Sequence, residues 1–267
     1  MSAGLVCLFF AWYSNWSFVL VFLFFSSYAL WEFFNMVERG GYRPYKIIGY
    51  AGVAFFFAVA YIKPLETYND IVIFSLLGIF LLKIIQSRQT QYRNQLTMLL
   101  IAAFGAIYIG GSLSFVIGLR KINEMKFQGV APYDYLFLVP FIGAWASDTG
   151  AYLAGKLVGK DKLAPSISEK KTVEGLIGGT AASLSAMFIY GKMLQMPLSL
   201  IIILGLLLPL FCTAGDLFES SLKRRFQVKD SGTLFKAHGG VLDRFDGIFF
   251  VLPLTYSIIY YFYIYQS

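Results

Sequence analysis

Long apolar runs, broken by short stretches of charge, Gly, Pro and Asn, are the main pattern along this chain. A hydrocarbon layer of about 30 Å is crossed by about 20 helical residues. Runs of that order lie at about 16–36, 46–62, 70–86, 96–118, 133–158, 173–195, 198–218 and 246–265. One more, at about 3–13, is short for a crossing and has no basic residues ahead of it. It reads as a clipped or tilted first helix, not as a cleaved leader. The pattern predicts an all-α polytopic membrane protein of about nine transmembrane helices. Its N-terminal helices fall within 1–132, and its C-terminal region, 133–267, carries two polar loops at 156–175 and 219–246.

Composition agrees with the pattern. Of 267 residues, 58% are hydrophobic and only 14% charged, which excludes a water-soluble domain of ordinary make-up. The two cysteines, Cys7 and Cys212, both sit in apolar runs and read as buried thiols, not as a disulfide framework. Counting Lys and Arg on alternate sides of nine crossings gives an orientation. One side collects Arg39, Arg43 and Lys46, then Lys83, Arg88 and Arg93, then both long loops with their lysines and arginines. The other keeps only Lys63, Arg120, Lys121, Lys126 and Lys192. The positive-inside rule puts the first side in the cytoplasm, with the N-terminus in and the C-terminus out. Basic loops beside anionic headgroups account for the net charge of +7 without a nucleic-acid partner.

Acids inside apolar runs change the picture further, because an ionised carboxylate facing lipid costs at least about 2.5 kcal/mol. Glu32, Asp148 and Asp216 are the three. Glu32, near a cytoplasmic helix end, reads as a buried, hydrogen-bonded or snorkelling residue. Asp148 and Asp216 lie in glycine-containing contexts beside the charged loops, at shallow depth, and read as functional.

The second loop holds the densest chemistry. Ser220, Lys223, Arg224 and Arg225 lead to Lys229 and Asp230, then to His238-Gly239-Gly240-Val241-Leu242-Asp243-Arg244-Phe245-Asp246. If helical, Asp243 and Asp246 project from one face with Cβ atoms about 5–6 Å apart. Carboxylates that close repel unless something positive lies between them. With a single His and no Cys cluster, oxygen ligands dominate, which suits a hard cation such as Mg²⁺ bridging to phosphate. Asp216 is placed to supply a third carboxylate. Gly239 and Gly240 can turn their amides to an anion, and a helix starting near Leu242 adds its positive end. In the first loop, Ser168 or Thr172 can cap the next helix, while Lys170, Lys171 and Thr172 can hold phosphate at its start. His238 reads as structural or as a donor, and nothing forms a Ser-His-Asp set. A solvated basic loop is the plainer reading of this segment. An ion- or proton-coupled transporter would use Asp148 and Asp216 but leaves the His-Gly-Gly loop without a role.

The spaced run from Ser220 through Lys223-Arg224, Lys229-Asp230, Gly232, Phe235 and His238-Gly239-Gly240-Val241 to Asp243-Arg244-Phe245-Asp246 resembles the signature of the CDP-diacylglycerol synthase, or phosphatidate cytidylyltransferase, family. Asp148-Thr149-Gly150-Ala151-Tyr152 and the 162–175 segment resemble further family blocks, so the likeness covers most of the C-terminal half. Glu169 stands where that family usually has Pro, and Lys236 where Pro or Gly is usual.

The resemblance implies an enzyme of a bacterial inner membrane, with its site facing the cytoplasm. It would join CTP and phosphatidate into CDP-diacylglycerol and pyrophosphate. Mg²⁺ would be held by Asp216, Asp243 and Asp246, with K⁺ admitted as a second cation and a homodimer admitted as the assembly. Lys229 and Arg244 would act with Asp243 and Asp246 at the reacting phosphates. Asp148, Lys170, Lys171, Thr172, Ser220, Lys223, Arg224, His238, Gly239 and Gly240 would contact substrate. The acceptor is the point on which a polyprenol phosphotransferase would differ.

Overall fold

A computed structural model describes residues 15–62, 95–127, 133–232 and 239–265. The predicted runs at 3–13 and 70–86, and His238, lie outside the described residues. The described chain is helical apart from one small hairpin. Helix α1 (Asn15–Arg39) and α2 (Lys46–Ile62) are followed by α3 (Gln95–Gly105), a π-helical stretch (Ala106–Gly111) and α4 (Ser112–Phe127). A 3₁₀ segment (Tyr133–Leu138) leads into α5 (Val139–Val158). Strands β1 (Lys162–Ala164) and β2 (Ser168–Thr172) then precede α6 (Val173–Met193) and α7 (Leu198–Arg225). A four-residue helix, α8 (Leu242–Phe245), and α9 (Ile248–Tyr260) follow, and Tyr261–Tyr265 closes as π-helix.

Among the described residues five helical stretches are long and apolar enough to cross a membrane: Trp16–Arg39, Thr97–Ile122, Val173–Met193, Leu198–Arg225 and Leu242–Tyr263. The all-α polytopic expectation therefore holds. Two expected spans differ from it in detail. Helix α2 is a shorter apolar helix, and α5 falls outside the five; its Ser147-Asp148-Thr149-Gly150 centre interrupts the apolar run. Helices suit this environment because every backbone N–H and C=O is satisfied within the segment.

The chain divides into two compact units. The first comprises Met1–Ile117 and Phe226–Arg244. Its core is aromatic and aliphatic: Leu30, Phe33 and Phe34 of α1, Val53 and Phe57 of α2, and Phe104 and Tyr108 beyond. Phe104 and Tyr108 stack at 5.3 Å. Helix α1 stops because Gly41 takes φ 84°, a left-handed conformation that side chains resist. There the Gly41 amide donates to the Glu38 carbonyl at 2.9 Å and the Tyr42 amide to that of Val37 at 3.3 Å. Phe226 packs edge-on to Tyr42, with ring centroids 6.1 Å apart, which fixes the start of the 226–244 segment on this unit.

The second unit comprises Gly118–Arg225 and Phe245–Ser267. Helices α5 and α6 approach through small residues: a Cβ on Gly150 would strike Ala182 and the Gly178 carbonyl, and one on Gly179 would strike the Ser147 carbonyl. Backbones that come this close gain dispersion contact where lipid provides no hydrophobic drive between helices. Helix α7 approaches α9 in the same way. A Cβ on Gly215 would meet the Asp246 carbonyl, and one on Gly247 would meet Cys212. The last helical region is accordingly broken: α8 ends at Phe245, a turn carries Asp246 and Gly247, and α9 begins at Ile248.

Candidate active site

The first polar loop is a hairpin and not open coil. Strands β1 and β2 pair antiparallel, Lys162 opposite Thr172 and Ala164 opposite Ser168, with an irregularity between. The turn is closed by the Ile167 amide donating to the Ala164 carbonyl at 3.1 Å. Strand β2 runs directly into α6, and Thr172 is the cap: its Oγ1 accepts from the Gly175 amide at 3.1 Å. Glu174, in the first turn, accepts from the Asp161 amide at 3.2 Å, and the Val173 amide donates to the Asp161 carbonyl at 2.9 Å. These bonds satisfy helix-end donors and pin the hairpin to the start of α6.

That anchoring sends Lys171 towards α7. Its ammonium forms an ion pair with Asp216 and lies 3.5 Å from the Thr213 carbonyl oxygen. Lys170, one residue earlier, is exposed. Both lysines line a cavity of about 330 Å³, with Asp148, Asp216, Ser168 and Thr172. Tyr152, Leu163 and Leu176 add apolar wall. The volume lies at the lower end of small-molecule sites, and a few converging charged and hydroxyl groups among apolar walls are their usual make-up.

At the Asp216 end, acids gather. The Asp216 carboxyl lies within hydrogen-bonding reach of Asp246, whose Oδ1 also accepts from the Gly247 amide at 2.8 Å. Asp148 meets the thiol of Cys212, Sγ to Oδ1 at 3.6 Å. Glu219, fully buried, stands near Asp246 and is paired with Lys223 at 3.2 Å. The second unit thus brings together Asp148, Lys170, Lys171, Thr172, Asp216 and Asp246. Lys223 of α7 turns to the protein's own Glu219, while Ser220 is half-buried and Arg224 exposed on the same helix.

The remaining site candidates belong to the first unit. The Asp243 carboxylate accepts from the Ser231 amide at 3.0 Å and the Gly240 amide at 2.9 Å. It therefore joins the two flanks of residues 233–238. Gly239 takes φ 79° immediately beside it, a conformation open to glycine. Lys229 and Arg244 are exposed.

Among the described residues no three His, Cys, Asp or Glu side chains form a ready metal cage. The donor set nonetheless fits a hard cation in part. Two carboxyls in mutual reach, Asp216 and Asp246, call for a positive charge beside them. Lys171 supplies one from the Asp216 side. All the donors are oxygen, as Mg²⁺ requires.

Three features escaped the sequence reading. Glu219 carried a signal that could have been used, since it follows Asp216 by three residues and shares its helix face. Glu32 was visible as an intramembrane acid, but its partners, the amides near Leu242, were not. Tyr152 and Leu163 had no distinguishing mark as cavity wall.

Residues 1–262 match the profile of the cytidylyltransferase family. The chain is 40% identical over 156 residues to a phosphatidate cytidylyltransferase of Bacillus subtilis (strain 168), covering 58% of this chain and 55% of that protein. It is 46% identical over 146 residues to the Staphylococcus aureus (strain COL) protein of the same name, covering 54% and 55%. Against that of Staphylococcus saprophyticus it is 44% identical over 147 residues, again 54% and 55%. The chain spans about half the length of the relatives it matches. Because the profile match runs from the first residue almost to the last, the chain belongs to the cytidylyltransferase family.

Proposed function

We propose that this protein transfers a cytidylyl group from CTP to phosphatidate, giving CDP-diacylglycerol and pyrophosphate, at the cytoplasmic face of a bacterial inner membrane. The observation that carries the reading is the cavity in which Lys170 and Lys171 face Asp148 and Asp216, with Asp246 behind. The names of the relatives support the substrates. The preponderance of Lys and Arg on one side supports the orientation.

The chemistry asks little of acid–base groups. An oxygen of the lipid phosphate attacks the α-phosphorus of CTP; the new P–O bond forms as the bond from that phosphorus to the bridging β-oxygen breaks, and pyrophosphate carries away the electron pair. Nucleophile and electrophile are both anions, so the barrier lies in bringing them together in line. Lys170, exposed at the cavity, neutralises phosphate. Lys171 is held by Asp216 and so presents its charge at a fixed place. The Thr172 oxygen is engaged as helix cap, which leaves its O–H to donate to a phosphate oxygen, beside the positive end of α6. Asp216 and Asp246 would hold Mg²⁺, which supplies charge stabilisation at phosphoryl oxygens. Lys229 and Arg244, and Asp243 with its glycine turn, would bind phosphate groups from the 226–244 segment, and the acyl chains stay in the bilayer.

The test is conversion of labelled phosphatidate by the purified chain with CTP and Mg²⁺, read as CDP-diacylglycerol formed and pyrophosphate released. Asp246→Asn is expected to lower turnover by about a hundredfold or more. A wild-type chain that takes up CTP and Mg²⁺ yet makes no CDP-lipid would overturn the assignment.

A further inference from the structure

Glu32 is fully buried in α1 and has no place in the chemistry above. Its Oε2 accepts from the Leu242 amide at 2.8 Å, from a residue 210 positions away. The Val241 amide and the Ser231 hydroxyl lie within reach of the same carboxyl. Around it the chain has been kept bare. A Cβ added to Gly232, or to Gly240, would fall inside the carboxyl group itself. Asp243 completes the arrangement by accepting from Ser231 and Gly240.

A carboxylate buried in an apolar helix is costly unless donors surround it. Here the groups in reach come from both flanks of one segment, Ser231 on one side and Val241 and Leu242 on the other. A packing role alone would be met by Leu or Met, which carry no such cost and require no glycines opposite. We propose that Glu32 is a positioning residue: it is the template on which the Gly239-Gly240 turn and α8 are set, and so it fixes where that segment holds Asp243 and Arg244 for a phosphate-bearing substrate. This rests on the phosphoryl-transfer reading above, but the template itself can be measured without turnover.

The experiment uses the full chain in detergent, with hydrogen–deuterium exchange over 239–243 alongside kcat and KM for CTP. In Glu32→Ala, exchange over 239–243 is expected to rise, and kcat to fall about a hundredfold for a misplaced turn. KM for CTP is expected to stay within about threefold, since the phosphate contacts with lysines are untouched. Glu32→Gln keeps an acceptor oxygen for the Leu242 amide and is expected to recover kcat to within about tenfold of wild type. Gly232→Ala, which drives a methyl into the carboxyl, should lower kcat in the wild-type background and add nothing further to Glu32→Ala.

Raised exchange with wild-type kcat, unchanged exchange in Glu32→Ala, or additive losses in the double variant would each overturn the proposal. Should Glu32→Ala fail to fold, wild-type kcat and exchange in Gly232→Ala would overturn it as well. Absence of turnover in the wild-type chain would instead defeat the enzymatic reading, while the exchange results would still decide the template.

Discussion

The Lys171–Asp216 pair offers the sharpest check on the site, because its structural and catalytic roles separate. Two unit charges 4 Å apart attract by about 4 kcal/mol at an effective dielectric near 20. Both side chains are 24% exposed, so water and salt reach them. Screening reduces the retained interaction to about 2 kcal/mol. Lys171→Met keeps the stem of the side chain and removes the ammonium, leaving Asp216 to face Asp246 without a counter-charge. The expected cost is that same figure of about 2 kcal/mol, or about 4–8 °C in the midpoint of thermal unfolding in detergent.

Asp216→Asn removes one of the two facing acids and is expected to cost less than about 1 kcal/mol. In the double variant no charge is stranded, so stability should return to that of Asp216→Asn, a coupling of about 2 kcal/mol. Turnover should behave differently. If Asp216 holds the cation and Lys171 the phosphate, the double variant stays as inactive as the worse single one. Costs that add within about 0.5 kcal/mol would refute the pairing. Recovered turnover in the double variant would remove Asp216 from the site.

Two further outcomes follow from the same geometry. Excess Mg²⁺ should raise the unfolding midpoint of Lys171→Met more than that of wild type, because the cation replaces the lost ammonium; Asp246→Asn should abolish that response, and calorimetry with Mg²⁺ alone reads both. Thr172→Ala removes the cap on α6 and is expected to cost about 1 kcal/mol in thermal unfolding, whereas Thr172→Ser retains the oxygen and should cost a few tenths.

The helical part of this fold was legible because bilayer thickness sets a length, and runs such as 198–218 and 173–195 meet it with charge at their ends. The hairpin at Lys162–Thr172 was not. Its strands are short, Ser168-Glu169-Lys170-Lys171-Thr172 has no apolar alternation, and what holds it is tertiary: the Thr172 cap and the Asp161 bonds to Val173 and Glu174. Nor was the break at Asp246-Gly247 legible. A helix starting near Leu242 was expected to continue into the apolar run from 246, and the cause of the break is the approach of α7, where Gly215 and Cys212 leave room for backbone and nothing larger.

The acids show the same division at the level of chemistry. Their cost in an apolar run makes Glu32, Asp148 and Asp216 conspicuous in any sequence. That cost demands a partner but does not name one, since an ammonium, a ring of amides or a bound cation meets the demand equally well. Asp216 found an ammonium 45 residues earlier, visible in retrospect as the Lys170-Lys171 pair. Glu32 found amides, which every residue but proline carries and which leave no mark in a sequence. The only trace was indirect, in Gly232, to which no turn was assigned, and in Gly240, which was read only as half of an anion-binding pair. A glycine opposite a buried carboxylate is therefore as much a part of that carboxylate's site as its hydrogen-bond donors are.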